Sequence, residues 1–193
     1  MQVKTIVSGE LDNNTYVVIN NGEAVVVDAA ASIKELEKTL DGAIVKGVLL
    51  THAHFDHIAN LPEILKHFNT KCYLSKNAPK KFGDVEANAS FLSKPFTISV
   101  DESSLVYVKG GDKIDLAGLS FEVLDLPGHT DCGLGFVLDN IVFSGDTMFN
   151  GGYGRTDLKT SSYRDLLLSL KTLMRNYKGY RLLSGHGSEC VIK

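Results

Sequence analysis

The hydrophobic pattern divides the chain into strands with interspersed helices. Two runs rich in β-branched residues, 16–20 and 24–28, are joined by Asn21-Gly22. Both turn residues tolerate positive φ, so this pattern predicts a β-hairpin. Residues 45–51 are almost entirely apolar, which is typical of a strand covered on both faces. Further strands are predicted at residues 71–75, 105–108, 113–116, 119–126, 135–138, 141–143 and 181–183.

Three segments have the spacing or the end signals of helices. Ser32 and Glu35 have the spacing of a capping box, which predicts a helix that ends near residue 40. Apolar residues recur at helical spacing in residues 58–68 and again in residues 161–175. Residues 77–104 are polar, contain two prolines and show no clear period, so we expect a helix followed by an irregular connection.

The order of these elements predicts the fold class. Strands with interspersed helices occur twice, which favours an α+β architecture of two packed sheets with helices outside. The 193 residues correspond to about one domain of ~150 residues, and no repeat or long linker divides them. We therefore expect residues 1–193 to form a single domain.

Composition and charge exclude several functional classes. Apolar residues make up 44% and charged residues 22%, which argues against disorder and against a disulfide scaffold. The net charge of -3 argues against a nucleic-acid partner. No apolar run approaches the ~20 residues that span a bilayer, and the first residues do not resemble a secretory signal. With three cysteines that form no CxxC pair, these features predict a cytoplasmic protein with reduced thiols and no membrane partner.

Five of the six histidines lie in polar turns that follow predicted strands. Three of them fall within residues 51–57, and His129 and His186 each lie beside a glycine in a later turn. Loops at strand ends are places where a rigid scaffold can bring functional side chains together. The sixth histidine, His67, lies on a predicted helix and is interpreted as a surface residue.

The spacing within the first turn favours two metal ions. His52 and His54 are two residues apart in an extended turn, so their side chains point the same way and can reach one ion. Asp56 and His57 begin a helix and diverge by about 100°, so they cannot easily share that ion. We expect His52, His54 and His129 to bind one ion, Asp56, His57 and His186 to bind the second, and Asp146 to bridge them. Imidazole and carboxylate ligands suit divalent zinc, iron or manganese, and zinc is favoured here.

These motifs resemble the metallo-β-lactamase-fold hydrolases, and within them the glyoxalase II-like branch. The resemblance rests on Asn14-Thr15-Tyr16, Val27-Asp28 and residues 52–57, 127–130, 144–147 and 184–187, in that order. It implies a four-layer αββα sandwich with the metal site at one edge of the two sheets. It also implies the same two ligand sets, with Asp28 as a buried aspartate behind the site that supports the ligands.

The resemblance implies a hydrolase that cleaves a small thioester or ester. Two cations about 3.5–4 Å apart can share a water and lower its pKa toward ~7, which provides a bridging hydroxide as the nucleophile. Asp56 is the candidate catalytic residue, because a free carboxylate oxygen can orient this group and accept its proton. The substrate is expected to be a small molecule.

Other activities are either open or disfavoured. A mononuclear iron persulfide dioxygenase shares the glyoxalase II-like motifs and is the main alternative, and lactonase activity also stays open. β-Lactamase activity is disfavoured because Asp146 occupies a position where those enzymes usually carry another residue. A flavin-linked diiron reductase is disfavoured because that branch has glutamate in place of His54. A nuclease is disfavoured by the lack of a basic patch.

A glycine-rich segment, residues 149–158, follows Asp146 and is expected to line the site. Tyr153 and Arg155 are the candidate substrate-binding residues in it. Arg155 can bind a substrate carboxylate through its planar guanidinium group or pair with Asp157 and fix the loop, and both interpretations stay open. Classical glyoxalase II has a C-terminal helical region that contacts glutathione. We expect this chain to lack that region, so the resemblance does not secure a glutathione thioester as substrate.

Overall fold

The computed structural model describes residues 1–193 and contains two six-stranded sheets. The first sheet has its strands in chain order: β1 (Gln2–Ser8), β2 (Asn13–Asn20), β3 (Glu23–Val27), β4 (Ile44–Leu49), β5 (Cys72–Leu74) and β6 (Leu105–Tyr107). Next come β7 (Lys113–Leu116), β8 (Leu119–Asp125), β9 (Leu134–Leu138), β10 (Ile141–Gly145), the small hairpin of β11 (Met148–Phe149) and β12 (Gly152–Tyr153), then β13 (Arg181–Ser184) and β14 (Cys190–Val191). The second sheet has the order β14-β13-β10-β9-β8-β7.

Five helices connect these strands: α1 (Ile33–Leu40), α2 (Phe55–Ile58), α3 (Leu61–Phe68), α4 (Pro79–Phe82) and α5 (Tyr163–Asn176). The predicted capping box is confirmed, because the Ser32 and Glu35 side chains each accept a hydrogen bond from the other residue's backbone N–H. The predicted helix over residues 58–68 was wrong at its start. Asn60 interrupts it, since both its backbone and side-chain N–H groups donate to carbonyls of the loop after β3.

Three hydrophobic clusters show how the layers pack. The cluster between the two sheets contains residues of both, such as Val18 and Phe143. Alternate residues of a strand point to opposite faces, so Val17 instead packs outside the first sheet in the cluster that includes Leu36 of α1. Leu173 of α5 packs with the outer face of the second sheet. These layers confirm the predicted four-layer αββα sandwich.

The edge strand β1 was not predicted, because none of its residues is buried and its apolar residues are divided between the two faces of the sheet. The segment 77–104 contains the short helix α4 and two 3₁₀ turns, Ser90–Leu92 and Glu102–Ser104.

All three cysteines are free thiols. None of the helices combines the length and the apolar character needed to cross a bilayer.

Candidate metal centre

All seven predicted ligands lie at one edge of the two sheets. His52 and His54 follow β4, Asp56 and His57 belong to α2, and His129, Asp146 and His186 follow or end β8, β10 and β13. Strands β8, β10 and β13 run in the same direction, because β9 is antiparallel to both of its neighbours and β13 is parallel to β10. Their carboxyl ends therefore meet at one edge, and ligands far apart in sequence converge there.

The ligand atoms form two groups. The histidine cluster comprises His52, His54 and His129, and the carboxylate cluster comprises Asp56, His57 and His186. Within each cluster, one ligand atom from every residue lies within 4.8 Å of the others. Asp146 lies between them: its Oδ2 is 3.6 Å from His129 Nε2 and 3.4 Å from His186 Nε2, and its Oδ1 is 3.3 Å from His57 Nε2. The shared carboxylate is thus placed to contact both clusters.

Several polar atoms of these residues are buried without a hydrogen-bond partner. They are the Nε2 atoms of His52, His54, His57 and His129, and Oδ1 of Asp146, whose approach to His57 lacks hydrogen-bond geometry. Leaving a buried polar group unpaired costs about 1–3 kcal/mol, so a native protein rarely gathers several of them. A bound cation satisfies such atoms at once, and the donor set therefore fits divalent metal ions.

Two imidazole rings are held by backbone carbonyls on the side away from the centre. His129 Nδ1 lies 2.9 Å from the carbonyl oxygen of Arg155, and His186 Nδ1 lies 2.9 Å from that of Leu11. A carbonyl oxygen only accepts, so each Nδ1 carries a proton and Nε2 is the ring atom that faces the site. This arrangement fixes the tautomer that a metal requires.

Asp28 connects the ligands of the two clusters. Its Oδ2 lies 2.7 Å from His57 Nδ1, and its Oδ1 accepts a hydrogen bond from the Thr51 backbone N–H at 2.8 Å. The Thr51 hydroxyl donates to the same carboxylate and lies 3.1 Å from His52 Nδ1. Asp28 has φ 62°, in the left-handed region that a non-glycine residue occupies only when its surroundings hold it there.

Burial sets the protonation state of the histidine cluster. It lowers the pKa of His52 well below the usual value, and the neighbouring His57 lowers it further. Burial, with His129 as a second cause, lowers the pKa of His54 to about 3. Both rings are therefore neutral near pH 7, which is the form that binds a metal.

Negative charge sets the protonation state of the carboxylate cluster. Burial alone lowers the pKa of His57, but Asp28, Asp56 and Asp146 together raise it well above the usual value. Burial also lowers the pKa of His186, while hydrogen bonds to Asp146 and Asp56 raise it to about 10. These carboxylates favour positive charge at this position, and a metal ion that binds there displaces protons.

Two glycines let the backbone approach the centre closely. A Cβ on Gly185 would lie 2.1 Å from Asp146 Oδ1 and 2.6 Å from the His57 ring. A Cβ on Gly154 would lie 2.1 Å from the Asp146 carbonyl and 2.8 Å from the His129 ring. No side chain fits at either position without moving a predicted ligand, which explains why residues 154 and 185 are both glycine.

Sequence reasoning missed the supporting role of the first residues of β2. Asn13 Nδ2 donates to Asp56 Oδ2 at 3.3 Å, and the Tyr16 hydroxyl donates to the Ser184 carbonyl at 2.6 Å. Asn14 Nδ2 donates to the carbonyls on both sides of the His186 turn. The available signal was a run of polar residues directly before an apolar strand, where a surface turn is the ordinary expectation.

The remaining candidate residues lie outside the cluster of ligands. His67 pairs with Glu37 at 2.9 Å on the surface. Both branches of the Arg155 guanidinium group bond to Asp157, at 2.6 and 2.8 Å, so the ion pair is the arrangement present. Tyr153 is exposed on β12. None of these contacts tests the predicted substrate-binding roles of Tyr153 and Arg155.

Comparison with known proteins agrees with this geometry. The chain matches the family model of the metallo-beta-lactamase superfamily over residues 8–186. The hydroxyacylglutathione hydrolase GloC of Haemophilus influenzae is 32% identical over 164 residues, covering 83% of this chain and 74% of that protein. A protein of Streptococcus pyogenes described as a probable metallo-hydrolase is 31% identical over 204 residues, covering 98% of this chain and 84% of its own.

Two solved structures share the arrangement of the whole chain. The BLEG-1 B3 metallo-beta-lactamase has a TM-score of 0.90 and 28% identity, with 99% of this chain and 94% of that chain covered. TTHA1623, solved in a di-iron-bound form, has a TM-score of 0.83 and 28% identity, with 98% and 94% covered. The fold, the family model and the relatives all agree, and the chain belongs to the metallo-beta-lactamase superfamily.

Proposed function

We propose that this protein is a dinuclear metal-dependent hydrolase that cleaves a small thioester or ester. The observation that carries the proposal is the convergence of seven potential ligands in two clusters that share Asp146. The buried Nε2 and Oδ1 atoms of these residues that lack a hydrogen bond support it, because a bound cation would offset the free-energy cost of burying them unpaired.

The proposed ligand sets follow the two clusters. His52, His54 and His129 would hold one ion, Asp56, His57 and His186 would hold the other, and Asp146 would touch both. When bound, two such ions supply Lewis acidity for the carbonyl oxygen and lower the pKa of a water between them. Zinc is the favoured metal, because neutral imidazole and carboxylate suit it, and iron is the next candidate, since the similar TTHA1623 was solved with two irons.

Asp56 is the proposed catalytic residue. Its Oδ2 is held by Asn13 at 3.3 Å and lies 3.1 Å from His186 Nε2, whereas its Oδ1 makes no hydrogen bond in the structure. Burial raises the pKa of the Asp56 carboxyl, but His57 and His186 lower it below its usual value, so the group is ionised. Oδ1 is therefore available to orient the attacking water and to accept its proton.

A thioester is the favoured substrate class because a relative above 30% identity, GloC, is a hydroxyacylglutathione hydrolase. A β-lactam is the second candidate, favoured by the likeness to the BLEG-1 enzyme. The two classes share the attack of water on a polarised carbonyl group. They differ in the leaving group, which is a thiol in one and a ring amine in the other.

The experiment that tests the proposal compares three substrates on the protein loaded with zinc, iron or manganese. We expect hydrolysis of S-D-lactoylglutathione or of an acyl thioester of N-acetylcysteamine, and loss of that hydrolysis after chelation. Asp56→Asn should lower kcat by at least a hundredfold, the ordinary worth of a general base, while His67→Ala matches the unaltered protein. Hydrolysis of a β-lactam alone, or no thioester turnover with any of the metals, would overturn the proposal.

A further inference from the structure

Four segments beside the metal centre are linked to one another in a closed cycle of contacts, and we call them the collar: residues 9–12, 84–94, 149–160 and 186–189. The first two segments are joined by a hydrogen bond from Ser93 Oγ to Glu10 Oε2 at 2.5 Å. The second and third are joined by Lys159, whose ammonium lies 2.9 Å from Asp84 and 3.1 Å from Glu86. Half of the cycle is thus closed by polar side-chain contacts.

The other half of the cycle closes through the metal-site loops. Asn150 Nδ2 donates to Ser188 Oγ at 3.1 Å, joining the third segment to the fourth. His186 Nδ1 lies 2.9 Å from the Leu11 carbonyl oxygen, joining the fourth segment to the first. Every collar segment therefore contacts the next, and the cycle passes through a predicted ligand.

The collar makes two further contacts at or next to the predicted ligands. The Asn88 carbonyl accepts a hydrogen bond at 2.8 Å from the backbone N–H of Phe55, which lies between His54 and Asp56 in sequence. The Phe149 ring lies 6.1 Å from the His186 ring, measured between centroids. Parts of the collar therefore lie beside the predicted ligands.

Large apolar side chains project from the collar into solvent. The exposed fractions are 51% for Leu11, 47% for Phe91, 50% for Leu92 and 52% for Tyr153. Leu11 and Leu92 directly adjoin the hydrogen-bonded pair Glu10 and Ser93, so these exposed apolar residues lie on neighbouring segments. Exposed apolar residues on neighbouring segments are typical of a binding surface, whereas scattered ones are ordinary.

The turn that carries Phe91 and Leu92 is held rigidly. Asn88 and Ser90 are fully buried, and the Asn88 side chain both donates to the Phe96 carbonyl and accepts from the Ser90 N–H. Ala89 has φ 61°, a left-handed conformation that costs free energy in a residue with a Cβ. The protein thus uses buried polar contacts and backbone strain to present two large apolar residues to solvent.

The charge of the collar is negative. Apart from the predicted ligand His186, it contains six carboxylates and three cations: Glu10, Asp12, Asp84, Glu86, Asp157 and Glu189 against Lys94, Arg155 and Lys159. Arg155 is already paired with Asp157, Lys159 with Asp84 and Glu86, and Glu189 with Arg181 outside the collar, so Glu10 and Asp12 are the carboxylates without a cationic partner. A thioester whose thiol bears several carboxylates, as glutathione does, meets an excess of like charge here.

We propose that the collar binds an uncharged, apolar acyl group, so that the preferred substrate is an acyl thioester with a medium-length hydrocarbon chain. This inference rests on the proposed function and specifies its substrate class. Hydrolysis breaks the C–S bond, adds the oxygen of water to the carbonyl carbon and releases a carboxylic acid and a thiol. The collar contributes by burying the hydrocarbon chain beside the centre.

The first test measures kcat/KM for N-acetylcysteamine thioesters of acetate, butyrate and hexanoate on the metal-loaded protein. Full burial of one methylene group is worth about fourfold in binding, so partial burial of four of them predicts a rise of roughly tenfold or more from acetyl to hexanoyl. S-D-lactoylglutathione should react more slowly than the hexanoyl thioester. A flat series, or a clear preference for S-D-lactoylglutathione, would overturn the inference and leave the proposed function standing.

Substitutions of exposed collar residues test whether the collar causes the preference for longer acyl chains. Leu11→Ser and Phe91→Ser should each lower the hexanoyl-to-acetyl ratio of kcat/KM by about threefold, mainly through KM for the hexanoyl substrate. Leu168→Ser is the matched control, because Leu168 is equally exposed (57%) but lies on α5, outside the collar. Equal ratios in all three variants would contradict the role of the collar.

A binding measurement keeps the inference testable without turnover. Ketone analogues, in which a methylene group replaces the thioester sulfur, can be titrated calorimetrically into the same protein. We expect the hexanoyl analogue to bind roughly tenfold more tightly than the acetyl analogue. Tight binding without thioester hydrolysis would refute the proposed reaction alone, while chain-length-independent binding would refute the collar.

Discussion

The histidine cluster and the carboxylate cluster lie side by side but are held in different ways. Burial keeps the His52 and His54 rings neutral, and that cluster contains no carboxylate of its own. The carboxylate cluster instead depends on negative charge, and His186 remains partly exposed at the collar. The two clusters share Asp146 and the support of Asp28, and the rings of His52 and His57 lie 4.0 Å apart between centroids. A substitution at a residue of one cluster should affect mainly that cluster, whereas one at Asp146 or Asp28 can affect both.

Asp146 should produce the largest effect, because it contacts both clusters. Asp146→Ala removes both carboxylate oxygens, and we expect loss of both ions and a fall in kcat/KM of roughly a thousandfold, equivalent to about 4 kcal/mol. Elemental analysis and thioester assays on the same preparation check this. Retention of two ions per chain would show that Asp146 does not join the clusters.

His129→Ala should affect one cluster only. The substitution removes a ligand of the histidine cluster, so we expect one ion per chain and loss of most of the hydrolysis. His67→Ala is the matched control, since His67 pairs with Glu37 on the surface and belongs to neither cluster, and it should retain both ions. Loss of metal in His67→Ala would show that the ligand assignment is incorrect.

Asp28→Asn should weaken one cluster more than the other. The amide cannot reproduce all the hydrogen bonds that the carboxylate accepts from Thr51 and His57. We expect metal affinity at the carboxylate cluster to fall about 10–100-fold, as is usual when a partner behind a ligand is lost. Titration against a metal buffer measures this, and a larger fall at the histidine cluster would contradict it and show that Asp28 acts chiefly through Thr51 and His52.

Arg155→Met should have the smallest effect on the centre. His129 is held by the Arg155 carbonyl, which the substitution retains, and the ion pair with Asp157 is exposed. We expect unchanged metal content and no measurable shift of the urea unfolding midpoint. A loss of metal from the histidine cluster would show that the guanidinium group, and not only the backbone, fixes His129.

Within both clusters, the predicted ligands differ in how clearly the sequence indicates them. The turn with His52, His54, Asp56 and His57 stands out because four potential ligands fall within six residues. His129, Asp146 and His186 are single residues, and only their repeated position after an apolar strand predicted that they would converge. The structure brings them together because β8, β10 and β13 are parallel in one sheet.

Other features depend on contacts that no local pattern encodes. Asn13, Asn14 and Tyr16 support ligands that lie more than 40 residues away in the chain. The break between α2 and α3 depends on Asn60 bonding to the loop after β3. The edge strand β1 lacks a buried face, so its residues carry no clear alternation. The hydrophobic pattern predicts helices and strands that bury one face. It does not predict polar contacts between residues that are far apart in the sequence.

Metal stoichiometry tests the central claim most directly. The protein should be purified without added metal or chelator and its metal content measured by elemental analysis. We predict close to two divalent ions per chain, zinc or a mixture of zinc, iron and manganese. A single iron per chain, together with oxygen uptake when a persulfide is added, would contradict the dinuclear hydrolase and favour an iron dioxygenase.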